Sequence, residues 1–251
     1  MRRREFLKNL ASVGPAIGLL AAGSKLNGYL YAAETEKQAQ SVRLYGMGID
    51  VDVCIGCGRC AVACKKENHV PQDPFFYRTW VERYVFSVDG ELRVDSPNGG
   101  AEAFPPSGVP EKEKMKAYYV PKLCNQCSKP PCVQVCPVGA TFQTKDGVVL
   151  IDPDYCIGCR YCIQACPYGA RYLHPQRRVA DKCTFCYHRI VRNMKPACVE
   201  VCPTSARIFG EPRKSNTPLW EFMRKHRLQV LKPNLRTEPK VYYNGIDSEV
   251  R

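Results

Sequence analysis

Sixteen cysteines in four groups of four constrain this 251-residue chain more than any other feature of its sequence. Two groups share the spacing C-x2-C-x2-C-x3-C, and the other two begin with C-x2-C and end with C-x3-C. In chain order, group one is Cys54, Cys57, Cys60 and Cys64; group two is Cys124, Cys127, Cys132 and Cys136; group three is Cys156, Cys159, Cys162 and Cys166; and group four is Cys183, Cys186, Cys198 and Cys202. No cysteine is left over, so the pattern predicts that all sixteen bind metal or pair with one another.

The spacing of groups one and three is typical of iron–sulfur cubanes. Three cysteines at C-x2-C-x2-C wrap a short loop around three irons, and the fourth points away to a neighbouring cluster. Gly56 and Gly158 let the loop backbone approach closely, so that its N–H groups face the sulfur atoms. The sequence therefore predicts four [4Fe–4S] clusters.

Two other uses of the cysteines are alternatives. Structural zinc sites usually combine two separated C-x2-C pairs. Groups two and four fit that pattern when taken alone, whereas groups one and three do not. A zinc-stabilised interaction module and a disulfide scaffold are therefore the competing interpretations, and metal content separates them from the iron–sulfur one.

The chain also contains an internal repeat. The segment IDVDVCIGC at residues 49–57 recurs as IDPDYCIGC at residues 151–159. Cys136, Cys166 and Cys202 are each followed by Pro, one variable residue, Gly or Ser, and then Ala. The repeat indicates duplicated cluster-binding modules. Twenty prolines and eighteen glycines indicate a loop-rich fold that bound metal stabilises.

We expect an α+β fold of two ferredoxin-like dicluster modules, built from short strands and helices, with an inserted β-hairpin. Residues 79–94 alternate in polarity around Asp89 and Gly90, which predicts the hairpin. Residues 95–112 are rich in Pro, Gly and Glu, which predicts an exposed loop. Thr217 followed by Pro218 predicts the start of an amphipathic helix that extends to about residue 231.

The formal net charge of +13 at first favours a nucleic-acid or anionic-membrane partner. Residues 1–33 carry a net +4 of it, and each cluster with its four thiolates has a net charge of about −2. Without residues 1–33 and with four clusters bound, the chain carries only about +1. We therefore exclude nucleic acid as a partner.

The N-terminus predicts the compartment. The sequence RREFLK at residues 3–8, followed by a weakly apolar run at residues 10–23, resembles a twin-arginine export signal, with a basic amphipathic helix as the alternative. This route exports proteins already folded with their cofactors, so we expect a periplasmic protein. No other stretch of the sequence reaches the eighteen or so apolar residues of a membrane span. We expect membrane association only through partners.

With the four groups placed, the chain resembles the four-cluster iron–sulfur subunits of the dimethyl-sulfoxide-reductase family of respiratory complexes. Polysulfide, tetrathionate and formate-dependent nitrite reductase systems contain such subunits. The resemblance covers residues 44–245 and includes the segments CKKEN at residues 64–68, CYHR at residues 186–189 and KPACVEVCP at residues 195–203. It departs at residues 193–194, where Asn and Met replace a frequent glycine.

The resemblance implies which cysteines share a cluster. In this pattern, set 1 is Cys54, Cys57, Cys60 and Cys202; set 2 is Cys183, Cys186, Cys198 and Cys64; set 3 is Cys124, Cys127, Cys132 and Cys166; and set 4 is Cys156, Cys159, Cys162 and Cys136. Each group thus gives its last cysteine to the set of a partner group. All sixteen iron ligands are present, so four cubanes are expected.

The domain boundaries follow from these sets. The expected segments are a signal at residues 1–33; a first dicluster module from residues 44–70 and 175–212; an inserted hairpin and loop at residues 71–118; a second dicluster module at residues 119–174; and a C-terminal tail at residues 213–251.

The resemblance also implies partners and a function. They are a molybdopterin-containing catalytic subunit and a membrane quinone-binding subunit, between which this chain relays electrons. We expect no enzymatic activity of the chain by itself, because its sequence contains no nucleophile–base constellation and no nucleotide-binding glycine loop. A free periplasmic polyferredoxin is the alternative within the same chemistry.

Overall fold

A computed structural model describes residues 44–72 and 76–250. Helices and strands in this part of the chain are short, with loops between them. The helices are α1 (Arg59–Glu67), α2 (Pro131–Gln134), α3 (Tyr161–Gln164), α4 (Tyr187–Ile190), α5 (Ala197–Glu200) and α6 (Pro218–Lys225). The strands are β1 (Gly46–Asp50), β2 (Thr79–Ser87), β3 (Leu92–Asp95), β4 (Lys114–Leu123), β5 (Thr141–Gln143), β6 (Val149–Ile151), β7 (Arg171–Leu173), β8 (Ala180–Lys182), β9 (Arg207–Gly210) and β10 (Val241–Asn244). The fold is α+β, and the expected signal segment lies outside the described residues.

One sheet joins the two ends of the described chain. Its strand order is β10-β1-β9, with β1 parallel to β10 and antiparallel to β9. Met47 and Ile49 of β1 and Tyr243 of β10 are fully buried, so the sheet forms part of the hydrophobic core. β1 leads into cysteine group one and β9 follows cysteine group four. The sheet therefore holds these two groups close together.

A second sheet, of order β3-β2-β4, covers the region between groups one and two. β2 and β3 are antiparallel, with Phe86 opposite Leu92, and the chain turns at Gly90, whose φ is +87°. β4 pairs with β2 on its other side and ends one residue before Cys124. The stacked rings of Tyr84 and Tyr118 lie across this pair, 5.6 Å apart. The sheet thereby fixes where group two begins.

Two small antiparallel sheets connect the remaining groups. β5 follows group two and pairs with β6, which precedes group three. β7 follows group three and pairs with β8, which precedes group four. Each pair therefore begins after the last cysteine of one group and ends before the first cysteine of the next. This alternation of cysteine loops and short strands is the structural form of the sequence repeat.

The segment after residue 212 belongs to the core. Thr217 caps α6, because its Oγ1 accepts a hydrogen bond from the N–H of Trp220 at 3.3 Å, as the sequence predicted. The helix ends at Lys225 rather than near residue 231, and the following chain is extended, with Gln229 bridging to Tyr243. Leu219 of α6 is fully buried, and β10 completes the first sheet. What the sequence suggested as a tail thus contributes a helix and a strand.

Across the described residues, every helix is too short or too polar to cross a lipid bilayer.

Candidate metal centres

Helix α1 places two cysteines of group one on the same side but in different surroundings. Cys60 and Cys64 are one turn apart, so their side chains project from one face of the helix. Cys60 lies beside Arg207, and Cys64 lies beside the cysteines of group four. A four-residue step in one helix therefore separates two sites.

The cysteines of set 2 surround one cavity. Its lining includes all four of them, Cys64, Cys183, Cys186 and Cys198, together with Arg78 and Asn68. α1 packs against α5, which carries Cys198, and this contact brings the two ends of the set together. Burial and the nearby Cys183, Cys198 and Cys186 raise the pKa of Cys64 well above its usual value. Four thiols around one cavity fit a cationic metal core that displaces their protons.

The cysteines of set 3 surround a second cavity. Its lining includes Cys124, Cys127, Cys132 and Cys166 as well as Val149 and Tyr168. Burial raises the pKa of Cys127 to about 11, and the three other cysteines of the set act in the same direction. Cys166 reaches this cavity from group three, whereas the other three belong to group two. The donor set again fits a metal core rather than free thiols.

Set 1 is less enclosed. Burial raises the pKa of Cys54 to about 11, and the nearby Cys60 and Cys202 act in the same direction. These three cysteines therefore lie within electrostatic reach of one another, although they come from groups one and four. Cys57, the remaining member, is exposed at the surface.

The structure gives no direct contact between the members of set 4. Cys136 Sγ accepts a hydrogen bond from the N–H of Thr141 at 3.4 Å, and Cys156 Sγ accepts one from the N–H of Ala180 at 3.5 Å. Cys162 is buried and Cys159 is exposed. The sharing of one cluster by these four cysteines stays a prediction.

The loop backbones in groups one and three have the same geometry. Gly56 and Gly158 have φ of +68° and +69°. A Cβ at Gly56 would lie 2.4 Å from the ring of Tyr119, and a Cβ at Gly158 would lie 2.4 Å from the carbonyl oxygen of Arg178. Only glycine fits both the backbone angle and the space. The loops thus curve around their cysteines as an iron–sulfur site requires.

Buried cations lie beside the thiols, and the sequence interpretation did not identify them. Arg171 donates from Nη2 to Cys132 Sγ at 3.0 Å, and Arg207 donates from Nη2 to Cys60 Sγ at 3.3 Å. The only sign of them in the sequence is their position, since each arginine is the fifth residue after the last cysteine of its group. Buried positive charges need negative partners, and thiolate-bound clusters supply them.

Neighbouring sets are close enough to interact. Cys60 of set 1 lies near Cys198 of set 2, because it adds to the effect of burial in raising the pKa of Cys198. In the same way, Cys124 of set 3 lies near Cys183 of set 2 and raises its pKa in addition to burial. Arg171 interacts with Cys132 of set 3 and with Cys162 of group three. These interactions link group one to group four, group four to group two, and group two to group three through Arg171.

Two dicluster matches define the class of the protein. Residues 115–212 match a family model described as a 4Fe-4S dicluster domain. Residues 53–140 match a second model of the same description. With sixteen cysteines, two such domains account for four [4Fe–4S] clusters. The zinc and disulfide alternatives are therefore wrong.

Comparison with curated proteins identifies the family. The chain is 39% identical to a tetrathionate reductase subunit of Salmonella typhimurium over 98% of its own length and 88% of the relative. It is 38% identical to a putative dimethyl sulfoxide reductase iron-sulfur subunit of Halobacterium salinarum, over 80% of this chain and 79% of the relative. It is 36% identical to a polysulfide reductase component of Wolinella succinogenes, over 79% of this chain and 92% of the relative. The chain belongs to this family of four-cluster iron–sulfur subunits, and its function is electron transfer.

Proposed function

We propose that this chain bridges two partners, a molybdopterin-containing catalytic subunit and a membrane quinone-linked subunit, and relays electrons between them. The observation that supports the proposal is the series of interactions from Cys60 to Cys198, from Cys183 to Cys124 and through Arg171 to Cys162. With the ligands assigned to sets 1 to 4, this series leaves sets 1 and 4 at the ends. Bound clusters supply one-electron transfer, and the chain supplies their sequence and spacing. The relatives' names, which include reductase subunits and a menaquinol oxidoreductase subunit, agree with this role.

The two ends of the order present exposed apolar surface next to an exposed cysteine. At group one, Ile55 is 59% exposed beside the exposed Cys57. At group three, Ile157 is 66% exposed beside the exposed Cys159. An exposed apolar side chain beside a cluster ligand is a candidate contact site for another protein. Each end is therefore the docking face of one partner, which excludes water there and shortens the path of the electron.

The internal cysteines support the same role. Every cysteine of set 2 is buried, and two of set 3, Cys124 and Cys127, are buried as well. A relay needs access only at its ends, because an electron that enters at one end leaves at the other. We assign the ligands of the four clusters to sets 1 to 4 as the family resemblance implies, and the two cavities that sets 2 and 3 surround support this assignment.

We also propose that the chain is exported by the twin-arginine route and does no bond-making chemistry by itself. The RREFLK sequence at residues 3–8 supports the first statement. Replacing Arg3 and Arg4 by Lys is expected to leave the cluster-loaded protein in the cytoplasmic fraction. Equal amounts of the variant and the unchanged chain in the periplasm would contradict the proposal.

Co-purification tests the bridging function. The full chain, tagged and purified under mild conditions from its native cells, is expected to carry two further subunits and to contain molybdenum by metal analysis. Ile55→Lys and Ile157→Lys are each expected to release one different partner while the four clusters remain visible by EPR. Val88→Lys, on the exposed turn of the β2–β3 pair, is the matched control and should retain both partners. A stable monomer would favour the free-carrier alternative.

A further inference from the structure

Three cationic side chains are buried between neighbouring cysteine sets. The first is Arg207 at the start of β9, which is only 2% exposed. Its Nη2 donates to Cys60 Sγ of set 1 at 3.3 Å and to Thr79 Oγ1 at 2.8 Å. Its charge also interacts with Cys198 of set 2. Its Nη1 has no hydrogen-bond partner among the described residues. Arg207 therefore lies at the junction of sets 1 and 2.

The second is Arg171 at the start of β7, which is 5% exposed. Its Nη2 donates to Cys132 Sγ of set 3 at 3.0 Å, and its Nη1 donates to Thr141 Oγ1 at 3.3 Å. Its charge also interacts with Cys124 of set 3 and with Cys162 of set 4. Arg171 therefore lies at the junction of sets 3 and 4.

The third is Lys182, the residue before Cys183, whose side chain is fully buried. Its Nζ donates to the carbonyl oxygen of Cys183 at 2.9 Å and to that of Val149. Its charge interacts with Cys183 of set 2 and with Cys124 of set 3. Lys182 therefore lies at the junction of sets 2 and 3.

These three cations differ from the other buried arginines of the chain in their partners. Arg83 pairs with the carboxylate of Asp95, and Arg78 pairs with that of Asp181. Within residues 44–72 and 76–250, the ion pairs that carboxylates form do not include Arg171, Lys182 or Arg207. A buried charge without a counter-charge is costly. The negative partners of these three cations are therefore the thiolates and the clusters that the thiolates hold.

The two arginines occupy equivalent positions in the repeat. Each follows the last cysteine of its group by five residues and opens the strand that leaves the cluster. Group two has Thr141 at this position, and Thr141 Oγ1 is an acceptor for Arg171. Each pair of sets thus contains one such arginine, not two.

We propose that Arg207, Lys182 and Arg171 each set the reduction potentials of the two clusters that they separate. Reduction adds one negative charge to a cluster, and a buried cation beside it stabilises the reduced form. Because each cation is shared by two neighbours, it also offsets the repulsion that arises when both are reduced. The proposal deepens the relay function and rests on the assignment of ligands to sets 1 to 4.

Charge-removing variants test the proposal through potentials measured on the purified, cluster-loaded chain by EPR-monitored redox titration. Arg207→Gln is expected to shift the clusters of sets 1 and 2 to lower potential and to leave the other two unchanged. Arg171→Gln is expected to shift those of sets 3 and 4, and Lys182→Met those of sets 2 and 3. A shift in one cluster alone, an equal shift in all four, or no shift would overturn the proposal.

Two further variants separate charge from folding. Arg83→Gln removes a buried arginine that has its own carboxylate partner and is expected to leave all four potentials unchanged. Arg207→Lys keeps the charge, so the potentials of the clusters of sets 1 and 2 are expected to stay closer to those of the unchanged chain than in Arg207→Gln. An equal shift in Arg207→Lys and Arg207→Gln would overturn a role for the charge. If Arg207→Gln does not load its clusters, Arg171→Gln and Lys182→Met decide: each must lower the potentials of its own two clusters and of no others, and any other pattern would overturn the proposal.

The same titrations distinguish failure of this proposal from failure of the function on which it rests. The potentials belong to the isolated chain, so loss of a docking partner does not affect them. Cys→Ser variants assign each EPR signal to its ligands. An error in the ligand sets would therefore be seen in the Cys→Ser variants and not in the cation variants.

Discussion

Gln126 ties cysteine group four to the loop of group two, because its Nε2 donates to the carbonyl oxygen of Cys183 at 2.8 Å. Its Oε1 accepts a hydrogen bond from the N–H of Val149 at 2.7 Å, and the whole side chain is buried. One amide therefore satisfies two backbone groups from different parts of the chain. It therefore links the loop of group two to Cys183 and to β6.

Gln126→Leu is expected to destabilise the chain by about 1–3 kcal/mol, because the buried N–H of Val149 loses its acceptor. The measurement is the shift of the denaturant midpoint, with unfolding monitored through the loss of the cluster absorbance. Gln143→Leu is the matched control, since Gln143 is exposed and donates to the carbonyl oxygen of Cys127 at 3.3 Å. It should change the midpoint by less than about 1 kcal/mol. Equal effects of the two variants would contradict the role of Gln126.

Cys64→Ser is expected to disturb the cluster of set 2 and to spare the cluster of set 1, although Cys64 belongs to group one. The reason is that Cys64 faces the cavity with Cys183, Cys186 and Cys198. EPR redox titration reads the outcome. Cys202→Ser is the reciprocal variant and should affect set 1. Selective loss of the signal of set 1 in Cys64→Ser would reverse the assignment.

Gly158→Ala is expected to cost more stability than Gly139→Ala. Both glycines have a positive φ, +69° and +67°, so both variants incur about 1–2 kcal/mol of backbone strain. Only Gly158 is crowded, since its Cβ would meet the carbonyl oxygen of Arg178 at 2.4 Å, whereas nothing lies within 4 Å at Gly139. The comparison is made by thermal unfolding and by iron content per chain. Equal losses would show that the Arg178 contact adjusts without cost.

The stability of the chain is expected to fall on acidification through the titration range of His174. Burial lowers the pKa of His174 below 6.5 and the charge of Arg177 lowers it further, against the opposite effect of Asp181. The unfolded chain therefore takes up a proton near pH 6.5 that the folded chain takes up only at lower pH, so the contribution of His174 is lost as the pH falls below 6.5.

The measurement is the difference in Tm between His174→Gln and the unchanged chain at several pH values from neutral to mildly acidic. His174→Gln should lose part of the acid sensitivity, whereas His69→Gln, at an exposed position, should keep all of it. The same pH dependence in all three proteins would assign the acid sensitivity to other groups.

Cysteine spacing predicted the four [4Fe–4S] clusters because most ligands of a cluster come from one short stretch of chain, whereas the sharing of the last cysteine between distant groups stays a prediction. The N-cap at Thr217 was equally predictable, since a cap needs only the residues that follow it. The buried cations were not predictable in the same way. A lysine or arginine in a sequence indicates a solvated side chain, and only the packing of β7, β8 and β9 against the cysteine loops shows that Arg171, Lys182 and Arg207 are enclosed.

The place of β10 also escaped prediction, for a different reason. It is four residues long, and its partner in the sheet is β1 at the other end of the described chain. No local pattern specifies a parallel pairing over such a distance, because the partners are not joined by a turn. Local pattern also could not show that the helix predicted to reach residue 231 stops at Lys225. The chain beyond it is used to bring β10 alongside β1.

The position of β1 has a consequence for biogenesis. β1 is made early, and both of its neighbours in the sheet, β9 and β10, are made much later. A nascent chain therefore waits with Cys54, Cys57 and Cys60 displayed and no Cys202 to join them. A chain truncated before Val241 lacks the strand that closes the sheet on one side of β1. Synthesis as far as β10 thus precedes closure of the sheet that holds groups one and four together.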